Sequence, residues 1–124
     1  AGIYTGALIM PLLPFINDTK DNIDKIINQA YKSRANFIYP MFGVTLRSNQ
    51  RFYYYTKLRE NFPNLVSKYQ NLYSDKYVCN SPNFKSLQKY FEEKCSKLGI
   101  TYKMDDIISE YKSRFESEQI SFDL

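Results

Sequence analysis

Histidine and tryptophan are absent from the 124 residues, and cysteine occurs only twice, at Cys79 and Cys95. Zinc, iron and copper sites usually need several cysteine or histidine ligands, so most metal chemistry is excluded. The commonest general base is excluded together with the histidines. The two cysteines could form a disulfide, but no other feature indicates an oxidising compartment, and we interpret them as two free thiols.

Long apolar runs are also missing. The longest, from residue 6 to residue 16, is about half of the roughly 20 residues that a membrane span needs, and Pro11 and Pro14 interrupt it. No basic segment followed by a small-residue cleavage site is present. We therefore expect a cytoplasmic protein with no membrane partner. The net charge of +4 permits nucleic-acid contact, but solvated lysine-rich helices explain it equally well.

A strand, a helix and a second strand are predicted in the first 42 residues. Ala1-Gly2-Ile3 is typical of a chain that leaves a helix and enters a strand. The segment from Ile3 to Met10 is typical of a strand that is covered on both faces. Residues 17–19 (Asn-Asp-Thr) supply N-capping side chains for a helix. The apolar residues of this helix recur with a period of 3.6 residues and so form one face: Ile23, Ile26, Ile27, Ala30 and Tyr31. The apolar segment Ala35 to Phe42 follows, giving a parallel β–α–β unit that implies a larger sheet.

Helices are predicted after Gly43. The first begins near Ser48 and carries Phe52, Tyr55 and Leu58 on one face, and a second ends near Ser74.

Two further helices complete the pattern. Ser81 followed by Pro82 predicts the start of the third, and Gly99 closes it. Asp105 starts the fourth, and residues 116–124, which have no helical period, are interpreted as a tail. The predicted class is α/β with more helix than strand, and the predicted regions are residues 1–47 (β–α–β), 48–115 (helical) and 116–124 (tail).

The order of these features resembles a known family. The segments AGIYTGALIMPLLPFIND, FIYPMFGVTLR and LRENFPNLVSKY, followed by a Ser-Pro-capped helix that ends in KLGI, are similar to the C-terminal part of radical-SAM proteins of the spore photoproduct lyase-like, "DNA repair photolyase" group. The resemblance covers roughly residues 1–100. It implies that the β–α–β unit is the fifth and sixth strands of a partial (β/α)6, TIM-barrel-like fold from a bacterial lyase-like enzyme.

The resemblance also implies cofactors for the parent protein. Members bind a [4Fe-4S] cluster and S-adenosylmethionine (SAM), and their cluster motif C-x3-C-x2-C lies near the start of the barrel. No such spacing occurs here, so we expect no cofactor in this chain alone, and no activity. By resemblance, the ends of the two strands line the adenine side of the SAM pocket, which assigns cofactor contacts to Ile9, Met10, Pro11, Met41 and Phe42. An ordinary barrel core and rim explains these five residues equally well.

Bases and aromatics alternate between residues 47 and 59. Arg47, Arg51, Lys57 and Arg59 are candidate nucleic-acid contacts, since such a surface can stack bases and meet phosphates. The alternative, which we favour, is that Phe52, Tyr55 and Leu58 pack inward.

The last six residues resemble the hexapeptide by which bacterial repair proteins bind the sliding clamp. Gln119, Ile120, Phe122 and Leu124 would be the anchors of a tail that folds on binding. The alternative is that these apolar residues pack on the domain or form an edge strand.

Two classes of function follow. In the first, the chain is the C-terminal part of a radical-SAM enzyme, and its main partner is the rest of its own barrel. The second is a non-enzymatic module that binds nucleic acid or the sliding clamp. In both, we expect the free sheet edge to be covered, by the C-terminal helices or by a second copy in a homodimer.

Overall fold

The computed structural model describes the backbone of residues 2–122 and the side chains of residues 2–116. The chain is mixed α/β, with five α-helices and two small sheets in this range. The elements are, in chain order, β1 (Gly6–Ile9), α1 (Lys20–Lys32), β2 (Phe37–Pro40), β3 (Gly43–Thr45), α2 (Ser48–Asn61), a 3-10 turn (Pro63–Leu65), α3 (Val66–Tyr73), β4 (Val78–Asn80), α4 (Phe84–Leu98) and α5 (Met104–Phe122). None of these helices combines the length and apolarity that a membrane span requires.

The predicted β–α–β unit is confirmed. Strands β1 and β2 pair in parallel, with Gly6 opposite Phe37, although each has only four residues. Helix α1 connects them and begins as predicted, because the Thr19 hydroxyl accepts a hydrogen bond from the backbone N–H of Asn22 at 3.1 Å.

A third parallel segment extends this sheet, and the sequence reading missed it. Thr101 forms a parallel bridge with Phe37, and the N–H of Ile38 donates to the Thr101 carbonyl at 2.9 Å. The sequence contained a signal for this segment, because a glycine followed by an isoleucine precedes Thr101, as Gly2-Ile3 precedes β1. The sheet therefore runs in chain order: β1, β2, then Thr101.

Both crossover helices lie on one face of this sheet. Ile9 of β1, Ile38 of β2 and Ile100 are buried in a single core. The helical members of that core are Ile23, Ile27 and Ala30 from α1, and Leu87, Phe91 and Cys95 from α4. On the opposite face Leu8, in the middle of β1, is 64% exposed.

Residues between β2 and α4 form a second core, where the sequence predicted helices alone. Strands β3 and β4 pair antiparallel, with Val44 opposite Cys79, and helices α2 and α3 lie between them in the chain. Their core is formed by Val44, Leu46, Leu58, Leu65, Tyr69, Tyr73 and Cys79. Helix α4 follows this second core in the chain but belongs to the first one. We call residues 43–80 the insertion.

Three local predictions were wrong. Cys79, predicted in a helical segment, lies in β4. Helix α4 begins at Phe84 without a side-chain cap, because the Ser81 hydroxyl donates to the carboxylate of Asp18 instead. Helix α5 continues to Phe122, where an irregular tail was predicted from residue 116.

Candidate functional site

The carboxyl ends of β1 and β2 meet, and the loops that follow them form one edge of the molecule. The N–H of Met41 donates to the Ile9 carbonyl at 2.9 Å, and the N–H of Leu12 donates to the Met41 carbonyl at 3.0 Å. Ligands of parallel α/β folds bind at this edge. The structure therefore brings the five predicted cofactor residues together in space.

Those five residues differ in what they can offer a ligand. Ile9 is 7% exposed and belongs to the helix-side core. Phe42 is half-buried, and its ring meets the ring of Phe91 edge-on at 5.9 Å. Met10 is 46% exposed, and Pro11, joined to it by a cis peptide bond, is also exposed. Met10 and Pro11 are thus free to contact a ligand, whereas Ile9 and Phe42 support the edge from within.

A cavity of about 440 Å³ lies at the same edge, between the end of β2, helix α4 and the start of α5. It is lined by Tyr39, Pro40, Phe42, Gln88, Phe91, Glu92, Tyr102, Lys103, Met104 and Asp105. Phe42 and Tyr102 both meet the Phe91 ring edge-on at 5.9 Å. Aromatic rings beside a lysine and two carboxylates suit a flat ligand with polar substituents. Of the predicted residues only Phe42 lines this cavity.

The loop after β1 is held against the insertion by buried tyrosines. The Tyr69 hydroxyl donates to the Pro14 carbonyl at 2.5 Å and lies 2.9 Å from the Tyr54 hydroxyl. The Tyr73 hydroxyl donates to the Asn80 carbonyl at 2.5 Å. Burial is the main cause that raises the pKa of Tyr69 and of Tyr73 well above the usual range. Both phenols therefore stay protonated and act as hydrogen-bond donors. Tyr69 fixes the loop after β1, and Tyr73 fixes the end of β4 within the insertion.

Arg51, a candidate nucleic-acid contact, has a structural role instead. Its guanidinium donates to the carbonyls of Leu46, Asp75 and Lys76 at 3.1, 2.7 and 3.1 Å. These contacts join the end of β3 to the turn before β4. One nitrogen, Nη2, makes all three contacts, and the other terminal nitrogen, Nη1, lies 3.9 Å from the Asp75 carboxylate.

The other three candidates remain at the surface of the insertion. Arg47 and Arg59 are exposed. Lys57 forms an ion pair with Glu60 at 3.1 Å and lies 5.8 Å from the centre of the Tyr53 ring.

Helix α2 packs on the insertion with a different face from the one predicted. Leu58 is buried and Tyr55 is half-buried, as expected. Phe52, however, is 79% exposed, and Tyr53 beside it is 65% exposed. The inward place expected for Phe52 is taken by Tyr54, whose hydroxyl contacts Tyr69. The prediction that Phe52 packs inward was therefore wrong.

The predicted clamp-binding anchors lie outside the described side chains. Gln119, Ile120 and Phe122 are in the part of α5 where only the backbone is described, and Leu124 lies beyond it. The backbone is helical to Phe122, so binding as an extended peptide would require the end of α5 to unwind.

Metal-binding donors are scarce in the described part of the chain. No group of three His, Cys, Asp or Glu side chains is close enough together to hold an ion there. Both cysteines are free thiols, as predicted, and they lie in different cores. Burial raises the pKa of Cys95 to about 12 and also raises that of Cys79, so both thiols stay protonated near neutral pH. The residues described do not fit an iron–sulfur cluster.

Comparison with known proteins finds bacterial relatives. Uncharacterized proteins of Mycobacterium bovis and of two strains of Mycobacterium tuberculosis are 30% identical to this chain over 73 residues. The aligned segment covers 59% of this chain and 21% of each relative, so the match spans about a fifth of the length of these curated relatives. No family model and no solved structure matches the chain.

Proposed function

We propose that the chain supplies the last strands of a radical-SAM barrel of the spore photoproduct lyase-like group. One observation carries the proposal: the parallel segments follow each other in chain order, and both crossover helices lie on one face. Sheets wound in one direction with all helices outside close into barrels, whereas doubly wound sheets carry helices on both faces. The exposed face that carries Leu8 would then line the barrel interior.

Two further observations support this proposal. Strand β1, the proline-containing loop and the Thr19 cap occur in the order that the resemblance requires. The match covers only about a fifth of each mycobacterial relative, so those proteins are long enough to contain the remainder of a barrel.

The two cofactors of the parent fit this chain differently. The cluster does not fit, because the described residues offer no suitable set of donors, and its ligands would belong to a preceding part of the polypeptide. The adenine side of SAM fits better, since Met10 and Pro11 present an exposed apolar surface at the ligand edge. When bound, SAM would supply the 5′-deoxyadenosyl radical. Met10 and Pro11 would exclude water from the adenine, while Ile9 and Phe42 hold the edge rigid.

The test compares the protein of the complete natural reading frame with the 124-residue chain. After anaerobic reconstitution, the complete protein should bind iron and sulfide and release 5′-deoxyadenosine from SAM under reducing conditions. The 124-residue chain should do neither. A complete protein that lacks C-x3-C-x2-C, or that yields no 5′-deoxyadenosine when loaded, would reject the proposal.

A matched control uses the buried thiols. Replacing Cys79 and Cys95 together by alanine in the complete protein should leave its iron content unchanged, because both thiols lie in apolar cores. Loss of iron in a folded double variant would show that this chain supplies cluster ligands, against the proposal.

A second candidate function, nucleic-acid contact, is favoured by the exposure of Phe52 and Tyr53. The two adjacent exposed rings offer stacking surfaces, and Lys57 brings positive charge to within 5.8 Å of the centre of the Tyr53 ring. Arg47 and Arg59 are exposed elsewhere on the insertion.

This candidate is tested with a labelled single-stranded oligonucleotide and the 124-residue chain. Stacking contributes about 1–3 kcal/mol per base, so replacing Phe52 and Tyr53 by alanine should weaken binding by at least about tenfold. Replacing Tyr111, which is 58% exposed on α5, should have little effect. Equal affinity of the two variants, or no binding by the unaltered chain at low salt, would reject the candidate.

A further inference from the structure

Helix α5 is held to the rest of the chain along one side only. From Met104 to residue 116, where the described side chains end, Ile107 is the only buried residue. Next to it, Glu110 accepts hydrogen bonds from the Tyr4 and Thr101 hydroxyls at 2.8 and 2.6 Å. A helix with so little packing is marginal in water, because most helical stability in proteins comes from the packing of an apolar face. The side of α5 that turns away from these contacts is open.

An apolar stripe runs along the open part of α5. Its members are Met104, Ile108, Tyr111 and Phe115, which are 42%, 43%, 58% and 56% exposed. Successive members are four, three and four residues apart, which keeps them on one face of the helix. This is also the spacing of the apolar seam along which two helices pack together. Single exposed apolar residues are common at protein surfaces, but a continuous row of large ones marks an interaction site.

The stripe continues into the exposed face of the parallel sheet. The Tyr111 ring lies 6.5 Å from the Tyr4 ring, which lies 5.4 Å from the Phe37 ring. The Phe37 ring covers Gly6, since a Cβ added there would come within 2.4 Å of it. Leu8, two residues further along β1, is on the same face as that Cβ. A molecule bound along α5 would therefore also border the face that carries Leu8.

The charges beside the stripe are complementary to themselves. Asp105 and Lys112 lie seven residues apart, on the flank of the stripe opposite Ile107. Both are exposed, and no ion pair among the described residues includes either of them. When two copies of such a helix pack antiparallel about a two-fold axis, Asp105 of each copy lies beside Lys112 of the other. The charge pattern therefore favours a second copy of this chain as the occupant of the stripe.

We propose that α5 is a dimerisation helix that packs antiparallel against α5 of a second copy of this chain. Ile108 of each copy contacts Tyr111 of the other, and Met104 contacts Phe115, so the whole stripe is buried at once. The two copies use the same surface, as in other two-fold symmetric dimers. The inference is independent of the proposed function, because it uses no cofactor, no activity and no closed barrel.

Sedimentation equilibrium of the 124-residue chain measures this dimer. The unaltered chain should show a concentration-dependent dimer. Ile108→Lys should raise its dissociation constant at least about tenfold, because a charge would be buried in the seam. Asp106→Lys, at an exposed position on the outward side of α5, should leave the constant unchanged. Circular dichroism verifies that both variants are folded. A chain that is monomeric at all concentrations, or an Ile108→Lys dimer as tight as the unaltered one, would overturn the inference.

An exchange of charges tests the antiparallel direction. Asp105→Lys and Lys112→Asp each turn two attractive pairs across the two-fold axis into repulsive ones, so each should weaken the dimer about tenfold. The double variant restores both pairs with the signs exchanged, and its dissociation constant should return to within about twofold of the unaltered value. Asp106→Lys is again the control, since it makes the same change one residue away.

Two further results would contradict the proposed interface. One is a double variant that dimerises as weakly as the single variants, since Asp105 and Lys112 would then not face each other. The other is a dimer that Leu8→Lys abolishes and Ile108→Lys leaves intact, since its interface would be the sheet alone.

Discussion

Tyr69 shows how one residue connects the insertion to the loop that follows β1. Its side chain is completely buried, and its hydroxyl is bonded to Pro14 in the loop after β1 and to Tyr54 of α2. The Tyr54, Tyr55 and Tyr73 rings surround it at 5.6, 6.3 and 5.4 Å. The sequence showed a high tyrosine content, but spacing alone could not predict that the Tyr69 hydroxyl donates to the Pro14 carbonyl across 55 residues of chain.

Tyr69→Phe removes the hydroxyl and keeps the ring. We expect the free energy of unfolding to fall by about 1–2 kcal/mol, because the Pro14 carbonyl loses its buried donor. Urea unfolding followed by circular dichroism measures the change. Tyr53→Phe is the control, since Tyr53 is 65% exposed and should alter stability by less than about 0.5 kcal/mol. Equal stability of Tyr69→Phe and the unaltered chain would contradict this role.

Alkaline pH should destabilise the chain. Burial raises the pKa of Cys95 from 9.0 to about 12, and burial together with Glu110 raises that of Tyr4 from 10.0 to about 12. Between pH 9 and 12 the unfolded state releases these protons while the folded state retains them, so the free energy of unfolding falls as pH rises. Below pH 9 these groups are protonated in both states and contribute no pH dependence.

Urea unfolding at a series of pH values between 7 and 11 tests this prediction. Cys95→Ala should show a shallower alkaline decline, although its stability at neutral pH is lower because a cavity remains. An alkaline slope identical to that of the unaltered chain would exclude Cys95 as a contributor.

At the scale of elements, helices α1 and α4 were predicted correctly, whereas strands β3 and β4 were not predicted. The buried face of α1 and the Gly99 end of α4 were predicted from spacing and glycine. Strands β3 and β4 have three residues each, too few for a period to appear, and they depend on contact between residues far apart in the chain. The apolar and polar residues of α2 are not segregated to opposite faces, since Phe52 and Tyr53 are exposed while Tyr54 packs inward.

Gly43 makes the pairing of β3 with β4 possible. A Cβ at this position would lie 2.5 Å from the Cys79 carbonyl oxygen and 2.9 Å from the Asn80 Cα, and φ is +152°. Both neighbours are backbone atoms of the paired strand, so they cannot move aside separately.

We therefore expect Gly43→Ala to lower the free energy of unfolding by at least about 2–3 kcal/mol. Gly99→Ala, with no nearby atom, should cost only about 1 kcal/mol from the left-handed dihedral. The two variants are compared by urea unfolding. A smaller loss for Gly43→Ala than for Gly99→Ala would contradict the close approach of the strands.

At the scale of the whole molecule, the main feature is that one face of the parallel sheet, the face that carries Leu8, is exposed to solvent. Leu8 is 64% exposed in a parallel strand, and such strands are normally covered on both faces. Helix α5 reaches the sheet through the Tyr4 and Thr101 hydroxyls, which donate to Glu110 at 2.8 and 2.6 Å. Leu8 nevertheless stays exposed on this face. The predicted cover of the free sheet edge, by the C-terminal helices or by a second copy, remains a prediction.

The 124-residue chain should accordingly self-associate through this face. Sedimentation should show a concentration-dependent dimer, and Leu8→Lys should shift it toward monomer because a charge would be buried. Leu72→Lys, on the exposed side of α3, should leave the equilibrium unchanged. A strictly monomeric chain at all concentrations would contradict the prediction.

The insertion begins and ends at nearly the same point. Its terminal strands pair, and the N–H of Ser81 donates to the Phe42 carbonyl at 3.0 Å. Because these ends are adjacent and the insertion has its own core, a shorter loop could join Phe42 to Ser81 without displacing β2 or α4. The insertion could therefore be exchanged or removed as a unit while the parallel scaffold of β1, β2 and the Thr101 segment persists.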